Sequence, residues 1–165
     1  MNKSIILDHQ QINNKIKRIA FEIYENNIDE KEIILAGIKN NGFVFAQKLK
    51  EALNTICSID IQLCEVKMNK TKPQEKIETS LSPSAYQNKS LVLVDDVLNS
   101  GTTLIYAVKH FLEVPLKQFK TAVLVNRNHK KYPIKADFKG LSLSTSLQEN
   151  ISVEFNDKAA FAYLE

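Results

Sequence analysis

Two adjacent carboxylates, Asp95 and Asp96, close the apolar run Leu91-Val92-Leu93-Val94, and a turn of Val97, Leu98, Asn99, Ser100, Gly101, Thr102 and Thr103 follows. A buried strand of this kind delivers its acids to the carboxyl end of a sheet, where α/β proteins form ligand sites. The helix expected after the turn begins with unpaired N–H groups and the positive end of its dipole, and both favour an anion. Ser100, Thr102 and Thr103 add hydroxyl donors, while Gly101 lets the main chain approach closely. The turn is therefore suited to a phosphate. It has no lysine for a nucleotide P-loop and too few glycines for a dinucleotide loop. Paired acids beside a phosphate cradle suit vicinal hydroxyls or a hydrated Mg²⁺. Phosphate plus diol describes a ribose 5-phosphate. A capped helix after an ordinary strand, with two solvated acids, explains each feature singly but not their occurrence together.

Other chemically capable residues are fewer. Between residues 127 and 139 lie Arg127, His129, Lys130, Lys131, Lys135 and Lys139 against one acid, Asp137. Such a stretch either faces phosphate or forms a solvated loop. Arg18 and Arg127 are the only arginines, so bidentate recognition is limited to two places. His129 reads either as a contact near a base or RNA or as an exposed loop histidine; His9 and His110 read as surface residues. Cys57 and Cys64 are expected in one strand, on opposite faces, as reduced thiols that neither bridge nor share a metal. No His/Cys/Asp spacing suits a transition metal. Phe43, Phe45 and Tyr106 read as core rather than as stacking platforms.

The elements that must position the acids follow from periodicity. Asp8 precedes Ile12, Ile16, Ile19 and Ile23, spaced for one helix face, with Gln11 placed to complete a cap. Residues 32–38 read as a buried strand, Asn40-Asn41-Gly42 as a turn and 43–53 as a helix. Residues 57–63 alternate as a half-buried strand, with Cys57, Ile59, Ile61 and Leu63 on one face. From about 67 to 89 the pattern dissolves into polar residues, which predicts a functional flap or a disordered segment. The strand at 91–94 and a helix at about 102–112 flank the phosphate turn. Residues 121–125 form the next strand, and 151–155 and 159–164 close the chain. Alternating strands and helices predict an α/β fold on a mostly parallel sheet.

At 165 residues, with 44% hydrophobic and 25% charged residues, the chain has ordinary globular composition and suits one domain spanning 1–165. The net charge of +3 names no partner by itself. No apolar run approaches the roughly 20 residues of a membrane span, and the apolar stretch at the N-terminus is too short for a signal peptide, so a cytoplasmic protein is expected.

The stretch from Val94 to Gly101 resembles the PRPP-binding motif of type I phosphoribosyltransferases. The resemblance extends over nearly the whole chain to the PyrR family, which combines pyrimidine-operon attenuation with uracil phosphoribosyltransferase activity. It is carried by Ile6-Leu7-Asp8 and the helix after it, Ala36-Gly37-Ile38-Lys39 with Gly42, the phosphate turn, Ala122-Val123-Leu124-Val125-Asn126-Arg127 before His129, and Tyr132-Pro133-Ile134-Lys135-Ala136-Asp137.

The resemblance implies a type I phosphoribosyltransferase fold with a flap at about 67–89 and a hood at about 127–140 joined by the C-terminal strands. It implies that Asp95 and Asp96 hold the ribose hydroxyls, directly or through Mg²⁺-bound water, and that Asn99, Ser100, Gly101, Thr102 and Thr103 cradle the 5′-phosphate. Val97 and Leu98 belong to the same substrate-binding stretch, with Val97 walling the base. Lys39, Asn40, Asn41 and Gly42 match the pyrophosphate loop, and Arg127, His129 and Ile134 fall in the hood that reads uracil. The implied partners are PRPP, uracil or UMP, pyrophosphate and RNA, the last through Lys17, Arg18, Lys130, Lys131 and Lys135, in a homo-oligomer of two or more chains. Pyrimidine salvage and transcription attenuation are the implied roles.

The chain departs from the family in three places. Asn40-Asn41 stands where Thr-Arg is usual. Glu65-Val66-Lys67-Met68 stands where an aromatic residue, Arg and Asp are usual, with Lys67, Lys70 or Lys72 as substitutes. Phe21 and Asn26 stand where His and Arg are usual in RNA contact. A lost charged contact of about 1.5–3 kcal/mol predicts turnover lowered roughly ten- to a hundredfold. A weakly active or inactive nucleotide-sensing regulator, and a transferase for another base, stay open beside the uracil enzyme.

Overall fold

Asp8 opens the first helix with a reciprocal pair of bonds. The Gln11 N–H donates to Asp8 Oδ1 at 2.8 Å, and the Asp8 N–H donates to Gln11 Oε1 at 2.9 Å. This capping box satisfies two amides that a helix start leaves without partners. In the computed structural model, which describes residues 3–165, helix α1 spans His9–Glu25. It buries Ile12, Ile16, Ile19, Ala20 and Ile23, the face that the apolar spacing predicts.

Strand β1 (Ser4–Leu7) precedes this helix. After it come β2 (Glu32–Ile38), α2 (Asn41–Ile56), β3 (Asp60–Lys67), β4 (Glu78–Thr79), α3 (Pro83–Tyr86), β5 (Ser90–Leu98) and α4 (Thr102–Phe111). The chain continues with β6 (Gln118–Asn126), β7 (Phe138–Ser142), β8 (Ile151–Phe155) and β9 (Ala160–Leu164). Six strands form one sheet in the order β4-β3-β2-β5-β6-β7, parallel throughout except where β4 meets β3. The remaining strands form a separate antiparallel sheet in the order β1-β9-β8.

Both faces of the main sheet are covered, which is why its strands read as unbroken apolar runs. Ile33, Leu35, Val92, Val94, Ala122 and Leu124 pack toward α1 and α2. The alternate residues Ile34, Ala36, Leu91, Leu93 and Val123 pack with Tyr86 and with Leu104, Ala107 and Phe111 of α4. Truncating one of the leucines or isoleucines among them to Ala removes about 2–5 kcal/mol. The two layers hold the end of β5, and with it the acid pair, on a rigid frame.

Several expectations change in detail. The strand expected from residue 57 begins at Asp60, where pairing with Glu32 begins. Residues 54–56 instead extend α2, and Cys57 caps it by donating its N–H to the Leu53 carbonyl at 3.0 Å. The two cysteines thus do not share a strand. Both are free thiols, and Cys57 and Cys64 pack into opposite layers, as expected. Strand β5 continues through the acids to Leu98 because Val97 and Leu98 still pair with Val125 and Asn126. Strands β1 and β7 were not anticipated, being short and largely exposed in the first case and interrupted by Gly140 in the second.

The polar segment 67–89 is anchored rather than shapeless. Lys67 ends β3, β4 pairs back onto it, and Ile77 and Tyr86 are buried. Only the turn around residues 69–75 projects, organised by Asn69, whose Oδ1 accepts the N–H groups of Thr71 and Lys72 at 3.0 and 3.1 Å. Residues 138–140, read as hood, lie instead in β7 at the edge of the main sheet. His110, read as a surface residue, is half-buried, with its ring 5.4 Å from Phe111 and its Nε2 enclosed without a partner among the described residues. No helix among the described residues is long and apolar enough to cross a membrane.

Candidate functional site

Strand β5 carries Asp95 and Asp96 to the carboxyl edge of the sheet, between its neighbours β2 and β6. Each carboxylate is braced by the following main-chain amide. The Asp96 N–H donates to Asp95 Oδ1 at 2.9 Å, and the Val97 N–H donates to Asp96 Oδ1 at 2.9 Å. Asp95 is only 2% exposed. Burial, reinforced by the Asp96 carboxylate beside it, pushes the Asp95 carboxyl up from 3.8 to about 8, with Lys70 pulling in the other direction. Lys70 Nζ lies 3.7 Å from Asp95 Oδ1.

The phosphate turn follows the acids directly. Gly101 sits at φ 86, which favours glycine, and a side chain there would collide with Ile134 Cγ2. Ser100 Oγ and Thr102 Oγ1 are 2.8 Å apart, and the Thr102 N–H points to Ser100 Oγ at 3.3 Å. The N-cap residue Gly101 has no side chain to cap α4, so the first-turn amides beyond Thr102, with the helix dipole, are left for an anion in the turn. The Ser100 carbonyl oxygen accepts the N–H groups of Lys131 at 2.7 Å and of Tyr132 at 3.2 Å, which docks the following loop onto the turn.

These residues enclose a cavity of about 250 Å³ lined by Lys70, by every residue from Asp95 through Leu104, and by Ile151. The structure thus brings together Asp95, Asp96, Val97, Leu98, Asn99, Ser100, Gly101, Thr102 and Thr103 as the spacing predicts. Leu104 and Ile151 are additions. Ile151 carries no signal in sequence, because it arrives from the antiparallel sheet.

The second expected loop borders the cavity rather than lining it. Lys39 is exposed and donates its N–H to the Val66 carbonyl at 2.8 Å. Asn40 has φ 73 and ψ −123, a backbone geometry that strains a residue with a Cβ. Asn41 Nδ2 donates to Asp96 Oδ2 at 3.1 Å. A Cβ on Gly42 would stand 2.9 Å from Asp95 Oδ1, so only glycine lets α2 begin this close to the acids.

Arg127, His129 and Ile134 of the expected hood lie outside the cavity lining. Arg127 is buried and turns away from the cavity. Its Nε donates to Thr145 Oγ1 at 2.7 Å, and its Nη2 donates to the carbonyls of Ser146, at 3.1 Å, and of Glu149. It ties down the loop before β8 because a buried guanidinium needs acceptors on all sides. Ile134 packs behind the phosphate turn, its Cγ2 close to Gly101. His129 is half-buried and outside the cavity lining.

Of the residues expected to meet RNA, Lys17, Lys130, Lys131 and Lys135 are exposed. Arg18 is partly committed, its guanidinium donating to the carbonyls of Lys139 and Gly140 at 3.0 and 2.8 Å and to Glu22 at 2.6 Å. Lys135 Nζ lies 3.5 Å from Asp137.

Comparison with known proteins agrees with this geometry. The sequence profile of the phosphoribosyl transferase domain matches residues 2–158. The bifunctional protein PyrR of Streptococcus thermophilus is 36% identical over 156 residues, covering 93% of this chain and 90% of that protein. The bifunctional protein PyrR of Clostridium kluyveri is 33% identical over 163 residues, covering 94% and 92%. Among solved structures, a hypoxanthine-guanine phosphoribosyltransferase from Bacillus anthracis superposes with a TM-score of 0.74 at 20% identity, over 88% of this chain and 86% of that one. The hypoxanthine phosphoribosyltransferase of Trypanosoma cruzi gives 0.76 at 16% identity, over 96% and 95%, a likeness of fold. With its acid pair, phosphate turn and doubly covered sheet in place, the chain belongs to the phosphoribosyl transferase family, among the relatives of PyrR.

Proposed function

We propose that this chain transfers ribose 5-phosphate from PRPP to uracil, giving UMP and pyrophosphate. The observation that carries the reading is the single cavity in which Asp95 and Asp96 stand beside the Asn99–Thr103 turn. The turn's amides and hydroxyls hold the 5′-phosphate. The acids accept the ribose 2′- and 3′-hydroxyls. Once ionised, the pair also favours the positive charge that develops on the ribose as the C1′–O bond to pyrophosphate breaks and the C1′–N1 bond forms. The base N1 gives up its proton to solvent, and the leaving pyrophosphate departs toward the start of α2. Positioning supplies most of the rate.

The donor set fits Mg²⁺. Two carboxylates offer hard oxygens without completing a shell, which suits an ion that keeps its water and shares substrate phosphates. Asp95 and Asp96 would hold it through water, and it would supply charge neutralisation to the pyrophosphate. Nothing else in the cavity lining is cationic except Lys70.

A second reading is favoured by one specific observation. Both arginines of the chain are engaged with main-chain carbonyls, and neither lines the cavity. Without Arg the cavity lacks a bidentate fork for the leaving pyrophosphate, which Lys70 does not reproduce. In this reading the protein is a nucleotide-sensing regulator that binds RNA through exposed lysines, Lys17, Lys130, Lys131 and Lys135 among them, and works as an oligomer in the cytoplasm.

Incubation with PRPP, Mg²⁺ and each free base in turn tests both. UMP formed from uracil supports the first reading. Product from a different base moves the specificity. UMP binding without product from any base supports the regulator, whose RNA affinity must then be sequence-selective and fall with salt.

A further inference from the structure

Asn41 makes two contacts that a residue meeting a leaving group does not need. Its Nδ2 donates to Asp96 Oδ2 at 3.1 Å and to the Val153 carbonyl oxygen of β8 at 2.7 Å. Both hydrogens of the amide are thereby used, one on the acid pair and one on the antiparallel sheet. The other oxygen of Asp96 is already held by the Val97 N–H. The carboxylate is fixed at both ends, and its plane is set by an amide from a different layer of the fold.

Asn41 is itself held firmly. It is the first residue of α2, and the strained Asn40 precedes it. Gly42 follows it, packed so closely on Asp95 that a Cβ would meet the carboxylate. On the far side of the contact, β8 begins with Ile151, which lines the cavity. One side chain therefore connects the acids, the helix start and the strand that walls the site.

We propose that Asn41 is a positioning residue, which orients Asp96 toward the ribose hydroxyls and fastens β8 to the acid pair. The inference rests on the reading of the cavity as a ribose 5-phosphate site. An aspartate of the same size cannot donate, and a leucine of similar volume offers no polar atom.

The test compares PRPP with UMP, because both carry the ribose diol and the 5′-phosphate but only PRPP carries pyrophosphate. In Asn41→Leu the dissociation constants for both ligands should rise together by about tenfold, the effect of losing one hydrogen bond to a charged group. Amide exchange in β8 should also quicken by about tenfold as the strand loses its tie. Asn41→Asp serves as the second variant if the leucine protein does not fold, and its like charge beside Asp96 should weaken both ligands further. A loss confined to PRPP would make Asn41 a direct pyrophosphate contact and overturn the proposal. Unchanged affinities, or unchanged exchange in β8, overturn it equally. Wild-type protein that binds neither ligand removes the ribose reading and the proposal together, an outcome distinct from a variant that behaves like wild type.

Discussion

Lys70 Nζ stands 3.7 Å from Asp95 Oδ1, so the exposed turn after β3 reaches across the cavity mouth onto its most deeply buried acid. This lysine is the one basic residue in the cavity lining among the described residues. Its side chain is half-exposed, whereas Asp95 is buried and accepts the Asp96 N–H.

Removing that charge should weaken substrate binding more than it alters the fold. Lys70→Met is expected to raise the dissociation constant for PRPP by about tenfold, in the range of one charged contact, while the melting temperature stays within about 2 °C of wild type. Lys70→Arg should keep most of the affinity. Calorimetric titration with PRPP, beside a thermal melt, checks both.

The buried Asp95 carboxyl gives a pH dependence of definite sign. Its value rises from 3.8 in the unfolded chain to about 8 in the fold, so the folded state holds the proton that the unfolded state has lost. The stability this group contributes is fully present below 3.8 and disappears as pH rises through about 8. Asp95→Asn, which keeps the oxygen that accepts the Asp96 N–H, should melt at least about 2 °C above wild type at alkaline pH, and the gap should close in acid. The same substitution should abolish PRPP binding. In wild type, PRPP affinity should increase with pH up to about 8, as the acid ionises.

Gly101→Ala should damage both the turn and its partner loop. The left-handed backbone costs a side chain about 1–2 kcal/mol, and the methyl would meet Ile134. A fall in melting temperature of roughly 2–4 °C for each kcal/mol, with loss of UMP binding, is the expected result. Gly140, also tightly packed but remote from the cavity, provides the contrast: Gly140→Ala should lower stability while UMP affinity in the folded fraction is retained.

Arg127 should behave as a structural residue. Arg127→Met leaves the Ser146 and Glu149 carbonyls without their donor and should remove about 1.5–3 kcal/mol of stability in a urea titration. Arg127→Lys should recover little of it, because an ammonium cannot spread its donors as a guanidinium does.

Much of this was legible in the residues. The Asp8–Gln11 cap, the buried face of α1 and the run from Asp95 through Thr103 all follow from local rules, because each is a short-range pattern of side-chain chemistry. What escaped depended on distant partners. Strand β7 exists because Phe138 and Leu141 find Ala122 and Val125 beside them. Ile151 enters the cavity only through the placement of the second sheet. Resemblance puts Arg127 in the hood, but no spacing announces that its guanidinium bonds the Thr145 hydroxyl and the Ser146 and Glu149 carbonyls. The amide of Asn41 on Asp96 spans 55 positions of chain and leaves no periodic trace.

The carbonyl of Ser100, shared by the amides of Lys131 and Tyr132, ties the anion-holding bend to the loop beyond β6. On the proposed reading, supports for the phosphoryl end and for the nucleobase end of one molecule are thereby coupled through a single oxygen atom.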